Sequence, residues 1–153
     1  MTGDIILQKR SGIIGYIVSF FTGSPWVHAG IDIGNSTVVH VDTYGKHYTW
    51  IADWGPNIVR LTPVEPLPTD KQFYLVQHCD RTTVLSYDFI GAIMSFFYKD
   101  PDDSKVITKK YHCSGFISAM YRKIGIDLVA NRSDESTQPQ DFLMSPLLRL
   151  VES

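Results

Sequence analysis

Hydrophobic and polar positions in the 153-residue chain follow two different periods. Behind Gly3-Asp4, the apolar run Ile5–Leu7 predicts a short strand; Ile13, Ile14, Ile17, Phe20 and Phe21 then recur at helical spacing, closed by Gly23-Ser24-Pro25. Val27–Ile33 and Val38–Tyr44 are rich in β-branched residues, and Gly34-Asn35-Ser36 between them predicts a hairpin. Ile58–Leu61 predicts a third strand. Residues 62–69, with Pro63, Pro66 and Pro68, predict an extended loop, and Gln72–Gln77 a further strand. Leu85, Phe89, Ile93, Phe96 and Phe97 trace a helical stripe over 83–98, followed by a polar loop over 99–105. Phe116, Ile117, Met120 and Ile124 trace a second helix that starts at Cys113 and stops at Gly125. Polar Ser133–Asp141 leads to apolar Phe142–Leu150. Together these elements predict an α+β fold in one domain spanning 1–153, an antiparallel sheet packed against helices.

Alternation in the hairpin decides which side chains cooperate. Val27, Ala29, Ile31 and Ile33 share one face of the first strand, leaving His28, Gly30 and Asp32 on the other. On the second strand Val39 and Val41 are apolar, with Val38, His40 and Asp42 opposite. A three-residue loop at Gly34–Ser36 pairs Ile33 with Thr37, which sets His28 opposite Asp42 and diagonal to His40; a two-residue loop pairs His28 with Val41 instead. The three-residue register gives a base and an orienting partner, and it leaves His40 and Asp42 as rivals for the second role.

Cys113 opens its helix, where free backbone N–H groups and the positive end of the dipole favour a thiolate and an oxyanion. Ser114 and Gly115 leave room beside it. Cys79 lacks such a setting and reads as structural; His47 and His78 receive no role. A zinc site from His28, His40 and Cys113 suits the metal's ligand preference, but no short ligand spacing supports it, so no cofactor is expected.

Composition narrows the classes. A formal net charge of -2, with no basic block, argues against a nucleic-acid partner. With 44% hydrophobic and 20% charged residues the chain reads as globular. The Lys9-Arg10 pair before Gly12–Phe21 has the order of a secretory signal, but no small-x-small site follows and the run is too short to span a bilayer. The expectation is a cytoplasmic protein without a transmembrane segment.

His112-Cys113-Ser114-Gly115-Phe116-Ile117, continuing through Tyr121-Arg122-Lys123-Ile124-Gly125-Ile126, resembles the nucleophile helix of the NlpC-type, papain-like cysteine peptidases. Gly3-Asp4-Ile5-Ile6, His28-Ala29-Gly30-Ile31, Gly34-Asn35 and Val39-His40-Val41 resemble that family's strands, here placed before the helix as in its circularly permuted branch. Pro139-Gln140-Asp141-Phe142 and Ser145-Pro146 resemble endings of that branch, which occurs in bacteria and some viruses, so a phage or viral source fits; residues 48–110 match least. The family often has Asp before the nucleophile, where this chain has His112.

The resemblance implies a cysteine hydrolase, a peptidase or amidase, with Cys113 as nucleophile, His28 as general base and acid, His40 as orienting residue, and the Cys113 N–H at the oxyanion. It implies a peptide or amide substrate such as a γ-glutamyl link of peptidoglycan peptide. Two other readings share the site: a lipid-directed thiol acyltransferase or lipase resembling the lecithin:retinol acyltransferase relatives, and a non-catalytic binding domain.

Overall fold

The computed structural model describes residues 1–10, 23–42, 44–84, 112–130 and 132–151. The helix expected over Ile13–Phe21, that expected over 83–98 from residue 85 on, and the loop over 99–105 lie outside the described residues. Six strands are described: β1 (Ile5–Lys9), β2 (Trp26–Gly34), β3 (Thr37–Asp42), β4 (Gly45–Trp50), β5 (Ile58–Pro63) and β6 (Leu148–Val151). They form one sheet in the order β4-β3-β2-β1-β5-β6, with every neighbouring pair antiparallel. Two helices are described, α1 (Thr69–Arg81) and α2 (Cys113–Lys123).

β1 runs between β2 and β5 and is covered on both faces, which is why Ile5-Ile6-Leu7 reads as a continuous apolar run. On one face Ile5, Leu7, Ala29, Ile31, Val39 and Val41 pack against Leu75 and Cys79 of α1 and Phe116, Ile117 and Met120 of α2. On the other, Ile6 and Val38 pack beneath Trp54, which ends a 3-10 turn at Ile51–Trp54. The large cluster anchors α2, and the small one leaves room for a polar site.

Gln72–Gln77 is helical, inside α1, and not a strand. Phe73-Tyr74-Leu75-Val76 carries β-forming side chains, but only Leu75 and Cys79, four residues apart, are buried, while Phe73 and Tyr74 are exposed. One helical face in the core outweighs local strand preference. Lys46 adds to the closure of α1 by donating from Nζ to the carbonyls of Cys79, Asp80 and Thr82 at 2.7–2.9 Å.

Over Gly30–Asp32 the hairpin has the expected register, through a different turn, and the ladder ends before the expected His28–Asp42 pair. Gly30 pairs with His40, Ile31 with Val39 and Asp32 with Val38, as a three-residue loop requires. The turn itself has two residues, Asn35 and Ser36, both at positive φ (51° and 59°), with Gly34 paired to Thr37. An irregularity between Asp32 and Gly34 absorbs the extra residue and keeps both histidines on one face.

Candidate active site

Hydrogen-bond parity places the nucleophile candidate. Asp32 exchanges backbone bonds with the residues just before β1 (Asp32 N–H to Asp4 O, 2.8 Å; Gly3 N–H to Asp32 O, 2.7 Å), so the alternate residues Ile31 and Ala29 direct theirs toward β3. The β2–β3 ladder, however, stops at Gly30–His40. Ala29 stays paired with Leu7 of β1, and with no further rung to β3 its N–H is left without a strand partner on that side; the Ala29 backbone is among the groups that favour the Cys113 thiolate.

His28 and His40 meet on the Trp54 side of the sheet. Nε2 of His28 lies 2.9 Å from Nδ1 of His40, and among the described residues Nδ1 of His28 has no hydrogen-bond partner. Asp42 is taken elsewhere: its Oδ1 accepts from Tyr44 N–H at 2.7 Å and lies 3.0 Å from Nε2 of His47, a close contact but poorly aligned for a hydrogen bond. Of the two candidates left open by the register, His40 is therefore the one in contact with His28. Among the described residues no hydrogen bond joins Cys113 to His28; the thiol is on the helix side of β2, beside the residue that follows His28.

The electrostatics describe a neutral pair. Burial pushes His28 down to about 3, with the His40 ring adding to the effect and Asp42 opposing it. Burial also lowers His40, again opposed by Asp42. Burial raises the Cys113 thiol, offset only in part by the backbone of Ala29 and by Ser114. Burial thus works against the thiolate that the helix start favours.

His112 answers the missing Asp. It is the N-cap of α2, its Nδ1 accepting from Gly115 N–H at 3.2 Å, so its proton resides on Nε2, which donates to the Glu135 carbonyl at 2.8 Å. Ser114 donates to the Thr137 carbonyl at 2.6 Å and ties the same turn to the tail. Gly115 is needed there, since a Cβ would stand 2.5 Å from the Asp134 carbonyl oxygen.

Trp54 is the component that sequence reasoning missed. Its ring stacks on His28 (centroids 5.1 Å apart, 23° between planes) and meets His40 edge-on at 5.3 Å. Beside it a cleft of ≈ 170 Å³ is lined by Gln8, His28, His40, Thr49, Asp53 and Trp54. The Asp53-Trp54-Gly55-Pro56 turn was the available signal, but without a partner strand nothing in the chain ties it to the hairpin. Cys79 is fully buried with its thiol raised to about 12, as a structural cysteine should be.

The fold defined here is α+β, a six-stranded antiparallel sheet carrying a helix-borne cysteine and a histidine pair. No protein-family profile matches the chain, and no curated protein does. Among solved structures it is similar to the crystal structure of the metalloprotein yiiX from Escherichia coli O157:H7, a DUF1105 protein. The TM-score is 0.71 over 99% of this chain and 96% of that one, at 19% identity. A likeness at that identity shows a shared fold. Among the described residues no helix is long and apolar enough to cross a membrane.

Proposed function

We propose that the protein is a cysteine hydrolase of papain-like, circularly permuted NlpC type, cleaving an amide bond through Cys113, His28 and His40. The observation that supports this reading best is the hydrogen bond at 2.9 Å between His40 and His28, the residue before Ala29, whose backbone is among the groups that favour the Cys113 thiolate. That hydrogen bond uses Nε2, so Nδ1 is the ring nitrogen free to take a proton.

Because thiol and imidazole are both neutral at rest, the proton moves during attack. In the reaction this reading implies, Cys113 Sγ bonds to the carbonyl carbon as its proton passes to the His28 ring, which must first reach the helix side of β2, and the Cys113 N–H donates to the oxyanion. The tetrahedral species collapses, His28 returns that proton to the departing amine, and a thioester remains. His28 then takes a proton from water as the oxygen attacks the thioester, and the thiol is regenerated. His40 fixes the imidazole plane through both steps.

The neighbour in fold is described as a metalloprotein; here, among the described residues, no group of three or more His, Cys, Asp or Glu side chains is arranged to hold a metal ion. A substrate panel containing γ-glutamyl peptide amides and long-chain acyl esters, run with and without chelator, tests the reading. The expected outcome is chelator-insensitive release of amine that disappears in Cys113→Ala. Release of fatty acid instead assigns the lipid-directed chemistry to the same residues, and no turnover on any member with an unreactive Cys113 supports the binding-domain reading.

A further inference from the structure

We propose that Trp54 is a positioning residue of this site, a wall that fixes the ring of His28 and covers one of its faces; the proposal rests on the hydrolase reading only for its catalytic consequence. Trp54 is 5% exposed although it sits on a short turn at the border of a cleft. It is anchored at both polar ends: the indole N–H donates to Thr49 Oγ1 at 2.9 Å, and its carbonyl accepts from Gln8 Nε2 at 2.8 Å. Those anchors come from β4 and β1, the strands flanking the two that bear the histidines. The ring thus bridges the hairpin.

Gly30 makes this seat possible. It lies two residues from His28 on the same face, and a Cβ there would come within 3.0 Å of the indole Cζ2 and Cη2 and 2.5 Å of Val38 Cγ1. With the glycine, the indole lies flat on one imidazole and edge-on to the other, so neither ring can rotate without displacing it. An imidazole with one hydrogen bond retains rotational freedom about χ2; the stacked face removes it and holds Nδ1 in one direction. The indole also keeps water off the stacked face of His28, which adds to the desolvation of that ring.

Other titratable groups around His28 are His40 and Asp42 of β3, His47 of β4 and Asp53 beside Trp54, with Cys113 across the strand; Gln8 of β1 is neutral. None of them is altered by changing Trp54 or its anchor. The experiment is an NMR titration of the histidine rings in the full chain, native against Trp54→Phe and Thr49→Val. Thr49→Val removes the indole's acceptor with little change in volume and serves where the ring substitution fails to fold. The expected result is a His28 midpoint that moves up toward the ordinary ~6.5 by at least tenfold in proton concentration, with the His112 midpoint unmoved. Turnover on any substrate found should fall at least tenfold in kcat with KM little changed. A His28 midpoint unchanged in both folded variants overturns the proposal and makes Trp54 core packing. A moved midpoint in a protein that hydrolyses nothing leaves the positioning role standing and removes the hydrolase reading.

Discussion

At the residue scale the site depends on two desolvated, neutral groups. The raised Cys113 thiol predicts that alkylation by iodoacetamide keeps accelerating with pH beyond the ordinary thiol value of ~8.5, with no plateau at acidic pH. A plateau below pH 7 would show a preformed ion pair instead. Cys113→Ala should abolish turnover yet leave the melting temperature nearly unchanged, since replacing a thiol by a methyl group is a small packing change. His28→Ala should lower turnover by roughly 10²–10⁴-fold. Away from the site, Arg60 holds two buried carboxylates, Asp4 at 2.7 Å and Asp32 at 2.9 Å. Arg60→Ala should cost about 2–3 kcal/mol by chemical denaturation, the lower end of the cost of breaking a buried pair because the arginine is partly solvated.

At the element scale two glycines set the geometry. Gly30→Ala forces a Cβ into Val38 and Trp54, for which about 1–3 kcal/mol of overpacking is expected, together with loss of turnover as the indole leaves His28. Measured stability alone, with turnover intact, would separate Trp54 from the site. These elements also show what could be read from the chain. The faces of the hairpin and the start of α2 were legible because alternation and helical spacing are local. The correct register came from matching apolar faces, although the turn was read as three residues: Asn35-Ser36 is a two-residue turn, and an irregularity before Gly34 restores the phase. α1 was misread as a strand because Phe73-Tyr74-Leu75-Val76 favours β locally, and only the packing of Leu75 and Cys79 reveals the helix. β4 and β6 went unread because an edge strand needs only one partner and little apolar alternation: β4 alternates His47 and Thr49 with exposed Tyr48 and Trp50.

At the scale of the whole molecule, the histidines couple stability to pH. His28, His40 and His112 all have folded-state values below the ordinary ~6.5. The unfolded chain therefore binds more protons than the folded one as pH falls below ~6.5, and their stabilisation, complete above that value, is lost progressively toward about 3, the folded value of His28. Denaturation midpoints from pH 8 to 4 should fall, and less steeply in His28→Gln. Part of the site stayed hidden from the sequence because it depends on tertiary packing: the turn Ile51–Trp54 meets the hairpin histidines only once β4 and β1 anchor Trp54. The central claim is that Cys113 forms an acyl-enzyme with His28 as its base, and intact-protein mass spectrometry after brief exposure to a p-nitrophenyl acyl ester tests it most directly. The account predicts one acyl adduct on Cys113, absent in Cys113→Ala and at least a hundredfold slower in His28→Ala; no adduct, or one that forms equally fast without His28, would contradict it.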